Sequence, residues 1–304
     1  MIFGNVMFGG SLVAIVTPMT TGGEIDYKSF EKLIDWQLVN NTDGLVVLGS
    51  TGEASTITFS ERTKIIQRTV DQVNKRIPVL VGTGSNSTSY TIELTRHAME
   101  IGANAALIVT PYYNKPTQEG LFRHFEAVAK AVPIAQVLYN VPSRTACDLL
   151  SETILRLVKL FPNIVGIKDA TGDIKRVKRL LKIQGNNQLD LISGDDNTAM
   201  DFMLSGGKGT ISVIANILPK QCHDLCTAIA SGKIEFARKC NEKLFPLRRL
   251  LFIETNPIPI KWVLSQVGMI KEGIRLPLTF FDKKYHDAMR EAMHQLGIEK
   301  SSVF

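Results

Sequence analysis

The chain has 304 residues, of which 44% are hydrophobic and 21% are charged, and this balance excludes disordered, collagen-like and coiled-coil proteins. Its formal net charge of +6 at pH 7 suits an anionic small molecule as well as a polyanion, so charge alone does not select nucleic acid. The length allows two domains, but one α/β barrel of roughly 250 residues fits equally well. Four cysteines are too few for a disulfide scaffold and predict free thiols in a reducing cytoplasm.

The start of the chain carries no charged side chain before Glu24, which raises the question of a signal peptide or a membrane segment. A signal peptide would begin with basic residues, and none is present here. No other stretch reaches the roughly 18 apolar residues that a membrane-spanning helix needs. We therefore expect no membrane segment, because the apolar start is also interrupted by three glycines and a proline: Gly4, Gly9, Gly10 and Pro18.

Short apolar runs rich in valine and isoleucine recur along the chain. Continuous apolarity, rather than alternation with polar residues, is typical of strands that are buried on both faces. The stretches between the runs are long enough to hold a helix. We predict eight strands in chain order: Leu12–Val16, Leu45–Leu48, Pro78–Val81, Ala105–Val109, Ile134–Leu138, Ile164–Ile167, Leu189–Ile192 and Thr210–Ile214.

The segments between these strands have the apolar spacing of helices with one polar face. Asp26, Ser60 and Ser151 are the predicted start signals of the first, second and fifth helices. Gly102 and the pair at 206–207 are stop signals. We predict seven helices between the strands: Tyr27–Val39, Ser60–Val73, Ser89–Ile101, Thr117–Ala131, Glu152–Leu160, Ile174–Ile183 and Asn197–Leu204.

Repeated strand–helix units predict a parallel sheet with helical crossovers. Eight units favour a closed (β/α)8 TIM barrel, which we assign to residues 1–218, and an open doubly wound sheet is the alternative. Residues 219–304 lack strand signals, and no linker separates them from the barrel. They predict a C-terminal helical appendix that packs on the barrel, with helices at Pro219–Ala230, Glu235–Phe252, Pro257–Val267 and Lys283–Leu296.

One lysine stands out at the end of a predicted strand. In barrels of this kind, chemistry is carried by the loops that follow the strands. Lys168 ends the run Ile164–Ile167, where the barrel encloses the strand. Burial disfavours the charged form of an amine, and a neutral amine attacks carbonyl groups to give a Schiff base. The alternative is a lysine that only solvates the strand end, paired with Asp169.

The residues after the other strands are rich in hydroxyl groups. All five histidines fall on predicted helices, so proton transfer at the strand ends has to use Tyr, Ser or Thr. The candidates can form a chain in which each hydroxyl both donates and accepts a hydrogen bond. For each tyrosine alone, core packing with a satisfied hydroxyl is the alternative. The four candidates are Tyr139, Tyr113, Ser50 and Thr51.

Two features predict sites for carboxylates. Gly49 and Gly52 flank the Ser-Thr pair after the second strand and let backbone N–H groups approach a small anion, although the same pattern fits any tight turn. Arg144, on the loop after the fifth strand, offers a bidentate fork for a substrate carboxylate. A surface ion pair is the alternative for this arginine.

Other kinds of site are disfavoured. Asp195 and Asp196 follow the seventh strand and would repel a phosphate group there. Cys222 and Cys226 lack the further ligands of a zinc site. The basic stretch at 175–182 has no interleaved aromatic residue, so nucleic acid is not expected as a partner. We predict neither a metal nor an organic cofactor.

Five motifs occur in the order found in one enzyme family, and together they extend over nearly the whole chain. On these motifs, the chain resembles the dihydrodipicolinate synthase family of Schiff-base pyruvate aldolases and lyases. The Tyr-Asn-Val-Pro-Ser-Arg-Thr string is specific in this context, whereas sister aldolases and lyases share the Gly-Ser-Thr-Gly-Glu string. The motifs are Gly49–Glu53, Thr110–Asn114, Leu138–Thr145, Gly166–Gly172 and Asn256–Pro259.

The resemblance implies a reaction between pyruvate and L-aspartate 4-semialdehyde that gives 4-hydroxy-tetrahydrodipicolinate in diaminopimelate and lysine biosynthesis. It implies that Lys168 forms the Schiff base and that Tyr139 shuttles protons. The assembly that it implies is a homotetramer of tight dimers. It also implies that Ser50 and Tyr113 belong to the proton relay, with Tyr113 reaching the neighbouring subunit's site. It implies that Thr51 binds the pyruvate carboxylate and that Arg144 binds the carboxylate of aspartate semialdehyde. Ile211 and Gly194 are implied to line the pocket.

The chain departs from the family pattern at two places. Ser50 stands where many members have Thr, and because the hydroxyl is kept, we expect the relay to survive. Where lysine-inhibited members place a Glu against the inhibitor's amine, this chain has Tyr90, and Phe59 and Arg62 replace histidines nearby. A buried ammonium without a carboxylate partner is costly. We therefore expect lysine to inhibit this protein weakly or not at all.

Two other functions remain as alternatives. A sister aldolase or lyase would cleave N-acetylneuraminate or a 2-keto-3-deoxy sugar acid, but a sugar acceptor favours a neutral site where this chain has Arg144. A non-catalytic barrel would serve as a binding or scaffold protein. The presence of Lys168 with its set of hydroxyl residues argues against this third interpretation.

Overall fold

Eight short strands pair in chain order in the computed structural model, which describes residues 8–184 and 189–299. Each strand runs parallel to the next, and the last pairs with the first, so the sheet is closed. The predicted (β/α)8 barrel is confirmed, and the open sheet is wrong. The strands are β1 (Gly10–Ala14), β2 (Gly44–Val47), β3 (Val79–Gly82), β4 (Ala105–Val109), β5 (Ala135–Asn140), β6 (Ile164–Asp169), β7 (Asp190–Ser193) and β8 (Gly209–Ser212).

Helices follow the strands and cover the outside of the barrel. The first and ninth agree with the predicted bounds, and the last predicted helix is split into a short 3-10 turn, Lys283–Tyr285, and a separate α-helix. The α-helices are α1 (Tyr27–Val39), α2 (Phe59–Val73), α3 (Thr88–Ile101), α4 (Gln118–Ala131), α5 (Pro142–Thr145), α6 (Ser151–Leu160), α7 (Ile174–Gln184), α8 (Ala199–Leu204), α9 (Pro219–Ala230), α10 (Ile234–Leu250), α11 (Ile258–Gln266) and α12 (His286–Gln295).

The side chains of each strand alternate between the barrel interior and the helical layer. On β1, Leu12 and Ala14 belong to the interior cluster, which also contains Tyr139 and Ile211. Val13, between them, packs outward in the cluster shared with the helices. β1 is therefore apolar on both faces, which explains its continuous apolar run in the sequence.

Two strands extend further than their apolar runs. β5 continues to Asn140 and β6 to Asp169, and the two strands pair with Tyr139 opposite Lys168. The sequence analysis placed these residues after the strands because apolarity stops there, whereas backbone pairing continues through polar residues. Tyr139 and Lys168 are thus held on paired strands rather than on loops.

Glycines close the barrel between its first and last strands. Gly10 pairs with Gly209, and a Cβ added to Gly209 would lie 2.2 Å from the carbonyl oxygen of Gly10. Gly10 itself has a φ of +79°, in the left-handed region that favours glycine. β1 and β8 therefore begin earlier than their apolar runs predict.

The helix signals were partly correct. Asp26 caps α1, since its side chain accepts a hydrogen bond from the backbone N–H of Ser29, and Gly102 ends α3 with a φ of +108°. Thr58 caps α2 in a capping box with Glu61, so Ser60 is not the cap. At α6, the serine predicted as a start signal lies in the first turn and makes no capping hydrogen bond.

The C-terminal helices share one hydrophobic core with the barrel. α9 packs against β1, and a single buried cluster joins Ile15 after β1 to Leu225 of α9, Trp262 of α11 and Met289 of α12. The division between residues 218 and 219 is thus not a break in packing, and as a domain boundary it stays a prediction. None of the helices within residues 8–184 and 189–299 combines the length and apolarity needed to cross a bilayer.

Candidate active site

A cavity of about 340 Å³ lies at the carboxyl ends of the strands, where (β/α)8 barrels carry their active sites. Three predicted site residues line it: Ser50 after β2, Tyr139 at the end of β5 and Arg144 on α5. Asn256, from the segment before α11, and Tyr112, from the loop after β4, also line this cavity. The appendix therefore contributes to the same cavity as the barrel.

Lys168 points into the barrel at the carboxyl end of β6. Ile167 packs outward among the helices, and since side chains alternate along a strand, the lysine faces the interior. Lys168 is only 6% exposed, and its Nζ lies 4.3 Å from the centre of the Tyr139 ring. The amine therefore lies on the ring that forms part of the cavity wall.

Asp169 is occupied on the other side of β6. Its carboxylate accepts hydrogen bonds from the backbone and the hydroxyl of Thr171 and lies 3.5 Å from Nε of Arg176. Burial raises the pKa of this carboxyl. Among the described ion pairs, Asp169 is paired with Arg176 and not with Lys168, which removes the strand-end ion pair as an explanation for the lysine.

Gly194 lies against the lysine, and Ile211 lies further along the barrel interior. A Cβ added to Gly194, just after β7, would lie 2.9 Å from Cε and 3.0 Å from Cγ of Lys168. Ile211 on β8 is 2% exposed and belongs to the interior cluster that contains Tyr139. The absence of a side chain at Gly194 thus makes room for the lysine side chain.

We expect Gly194→Ala to lower kcat by about 10-fold to 100-fold, because the added methyl group displaces the amine of Lys168 from its place in the site. The measurement is the steady-state rate together with the thermal midpoint. Gly120→Ala on α4 is the control and keeps wild-type turnover. A Gly194→Ala protein with an unchanged kcat would show that the lysine has room to move.

Thr51 and Arg144 are connected through one residue of the appendix. The side-chain Nδ2 of Asn256 donates a hydrogen bond to Oγ1 of Thr51 over 2.9 Å. Nη2 of Arg144 donates to the backbone carbonyl oxygen of Asn256 over 3.0 Å. Thr51 is 3% exposed and Asn256 is 7% exposed, so the first bond is protected from water.

The loop that carries Ser50 and Thr51 is anchored by a buried ion pair. Glu53 accepts a hydrogen bond from Nζ of Lys261 on α11, and both residues are buried. Its second carboxylate oxygen accepts from the backbone N–H of Arg275 over 3.2 Å. Burial lowers the pKa of Lys261, while the adjacent carboxylate opposes that shift. Removing one partner of such a pair costs about 3–5 kcal/mol.

Tyr113 is one of five predicted site residues that do not line the cavity, the others being Lys168, Thr51, Gly194 and Ile211. Tyr113 is 88% exposed, with a φ of +76°, and lies on the loop after β4. Ser50 and Tyr139 line the cavity, so one chain brings together two of the three hydroxyl residues predicted for the relay. The place of Tyr113 in a relay stays a prediction.

The part of the cavity near α2 is positively charged. Arg62 is buried and donates hydrogen bonds to the carbonyl oxygens of Gly82 and Ala54 over 3.0 and 2.9 Å. Tyr90 is 39% exposed and interacts electrostatically with Arg62. Among the described residues that line the cavity, Glu53 is the only carboxylate, and Lys261 already pairs with it.

The side chains do not form an evident metal centre. In the described part of the chain, no group of three or more His, Cys, Asp or Glu side chains is arranged to hold a metal ion. The chemistry that the site offers is instead that of an amine, hydroxyl groups and a guanidinium.

Sequence reasoning did not assign functions to Asn256, Lys261 and Arg275. Asn256 was noted only as part of a family motif, and a buried lysine on a helix gives no signal in the sequence. Glu53 was the available signal of a partner for its loop. It directly follows the glycine-flanked Ser-Thr pair, and a buried carboxylate requires a partner.

Comparisons with known proteins extend over the whole fold. The sequence matches the dihydrodipicolinate synthetase family over residues 7–296. It is 62% identical over 293 residues to the 4-hydroxy-tetrahydrodipicolinate synthase of Coxiella burnetii strain Dugway 5J108-111, a match that covers 96% of this chain and 100% of the relative.

Solved structures give the same result. The chloride-inhibited dihydrodipicolinate synthase of Acinetobacter baumannii complexed with pyruvate has a TM-score of 0.93 and 49% identity, covering 95% of this chain and 99% of that chain. A monomeric dihydrodipicolinate synthase variant has a TM-score of 0.94 and 41% identity, covering 96% and 98% of the two chains. The resemblance noted in the sequence is confirmed, and the chain belongs to the dihydrodipicolinate synthetase family.

Proposed function

We propose that this protein condenses pyruvate with L-aspartate 4-semialdehyde through a Schiff base on Lys168 and yields 4-hydroxy-tetrahydrodipicolinate. The observation that carries the proposal is the buried amine of Lys168 lying 4.3 Å from the Tyr139 ring, next to a cavity lined by Ser50 and Arg144. The reaction belongs to diaminopimelate and lysine biosynthesis, which is the pathway of the family. No metal or organic cofactor enters the proposed steps.

The chemistry follows from an amine held among hydroxyl groups. The amine of Lys168 attacks the ketone carbon of pyruvate, and uptake of one proton with loss of water gives a cationic imine. The imine acidifies the adjacent methyl group, which loses a proton to form an enamine. The enamine carbon then attacks the aldehyde carbon of the second substrate. The amino group of that substrate attacks the imine carbon, closes the ring and releases Lys168.

The proposed roles of the other residues follow their positions. Tyr139 carries protons to and from the reacting atoms, and Ser50, which lines the same cavity, takes part in the relay. Thr51 holds the carboxylate of pyruvate, and Arg144 receives the carboxylate of aspartate semialdehyde as a bidentate fork. Tyr113, exposed on its own subunit, completes the relay in a neighbouring subunit.

A direct assay separates this activity from that of sister enzymes. The protein is supplied with pyruvate and aspartate semialdehyde in one reaction and with N-acetylneuraminate or a 2-keto-3-deoxy sugar acid in others. We expect product only from the first. Cleavage of a sugar acid at a higher rate would assign the protein to the sister group, and no turnover with any substrate would favour a non-catalytic barrel.

We expect L-lysine to inhibit weakly or not at all. An ammonium group bound beside Arg62 would meet a like charge, and no unpaired carboxylate lines the described part of the cavity. The measurement is the initial rate over a range of lysine concentrations. Tyr90→Glu supplies the missing carboxylate and increases sensitivity. Half-inhibition of the wild type at sub-millimolar lysine would contradict this expectation.

The proposed assembly is a homotetramer of tight dimers in the cytoplasm. Support for assembly comes from Tyr113, whose exposed ring suits a contact with a second subunit. Support for the compartment comes from the four cysteines, all of which are free thiols. Because one structural relative is described as a monomeric variant, sedimentation velocity is the measurement that decides the assembly.

A further inference from the structure

The two proposed carboxylate subsites meet at one asparagine. Asn256 contacts Thr51 through its side chain and Arg144 through its backbone carbonyl oxygen. Arg144, on α5 after β5, lines the cavity, and Thr51 lies on the loop after β2 next to Ser50, which also lines it. A shift of residue 256 would therefore change the position of both subsites together.

The direction of the first hydrogen bond matters for substrate binding. A threonine hydroxyl has one proton to donate. Because Nδ2 of Asn256 donates to Oγ1 of Thr51, the threonine proton is not consumed by this bond. It is free to donate to a substrate carboxylate, and hydrogen bonds to charged groups are the stronger kind.

A second attachment fixes the same segment on the loop. Lys261, on the first turns of α11, reaches the buried carboxylate of Glu53. The backbone N–H of Glu53 in turn donates to the carbonyl oxygen of Ser50 over 3.1 Å. The loop is thus held at Thr51 by Asn256 and at Glu53 by Lys261, which restrains the two hydroxyl residues between Gly49 and Gly52.

We propose that Asn256 is a positioning residue that aligns Thr51 and Arg144 and keeps the hydroxyl proton of Thr51 available to the pyruvate carboxylate. The buried Lys261–Glu53 pair holds the segment that carries this asparagine against the loop. The inference rests on the proposed function and adds one specific consequence. The affinities for the two substrates depend on the same residue, which contacts Thr51 through its side chain and Arg144 through its backbone.

The test compares two isosteric changes at matched positions. Asn256→Asp keeps the shape of the side chain, replaces the donor by an acceptor and brings a negative charge to the carboxylate subsites. Asn163→Asp is the control, because Asn163 is also buried, at 5% exposed, and its Nδ2 is likewise a hydrogen-bond donor. The acceptors there are backbone carbonyl oxygens. Asn163 precedes β6 at the opposite end of the barrel.

We expect Asn256→Asp to raise KM for both substrates by about 10-fold or more, while kcat at saturation falls less. Asn163→Asp is expected to lower the thermal midpoint without raising either KM. Asn256→Ala, which introduces no charge, gives a smaller increase in both KM values and serves as the second variant if the aspartate protein is unstable. Equal KM values in wild type and both variants of Asn256 would overturn the inference.

Trapping of the pyruvate adduct separates a failure of this inference from a failure of the proposed function. Each variant is also treated with pyruvate and borohydride, and the adduct is located by peptide mass. An adduct on Lys168 in the wild type and in Asn256→Ala, with KM raised in the variant, supports both statements. An adduct with unchanged KM values rejects only the role of Asn256. Absence of an adduct in the wild type rejects the proposed function itself.

Discussion

Lys168→Ala abolishes the pyruvate adduct and lowers turnover by a factor on the order of 10³ or more, because the change removes the nucleophile of the covalent path. The wild type, incubated with pyruvate and reduced with borohydride, carries one adduct, and peptide mapping places it on Lys168. The interior position of Lys168 explains the selectivity. The described chain has one other buried lysine, Lys261, but its ammonium is held by Glu53.

The control for this experiment is Lys175→Ala on the exposed face of α7, which keeps both adduct and turnover. The thermal midpoint of each variant shows whether the fold has been preserved. An adduct on any residue other than Lys168, or no adduct in the wild type, would rule out the Schiff-base mechanism on Lys168. A Lys168→Ala protein that retained turnover would remove it as well.

Tyr139→Phe retains the adduct and lowers kcat by about 10²-fold to 10⁴-fold, the range expected when a positioned proton carrier is lost. The phenyl ring keeps the surface on which the Lys168 amine lies, so pyruvate binding and Schiff-base formation are preserved. The measurement pairs steady-state kcat with the extent of borohydride trapping at saturating pyruvate.

Tyr285→Phe is the matched control, since it removes a tyrosine hydroxyl on the short turn before α12, away from the cavity lining. Its kcat is expected to equal that of the wild type. Near-normal kcat in Tyr139→Phe would show that the hydroxyl moves no proton in a slow step. Loss of the adduct in the same variant would instead assign the residue to pyruvate binding.

The barrel was predictable because each of its strands is buried on both faces. That burial demands apolar residues without interruption, as in Ala105–Val109, where the predicted and observed bounds coincide. The same reasoning predicts β5 and β6 to be shorter than they are. Their backbone pairing continues through Tyr139 and Lys168, where the residues become polar. Strand ends that carry chemistry are therefore the places where an apolar pattern stops being informative.

The connections within the site could not be predicted in the same way. Asn256 and Lys261 are distant in sequence from Thr51 and Glu53, and their contacts depend on how the appendix packs against the barrel. No periodic pattern encodes such a pairing. The chemistry of Arg144 predicts a carboxylate ligand, and this stays a prediction, whereas its hydrogen bond to the backbone of Asn256 is visible only in the tertiary structure.

Because β1 pairs with β8, the barrel cannot close until its last strand has been synthesised. Gly10 leaves the ribosome early, whereas Gly209, its partner across the seam, leaves late. One edge of β1 has no strand partner during that interval, and an unpaired edge favours aggregation. Asn256 and Lys261 emerge later still. A chain truncated at the end of α10 therefore lacks the residue that contacts both Thr51 and Arg144.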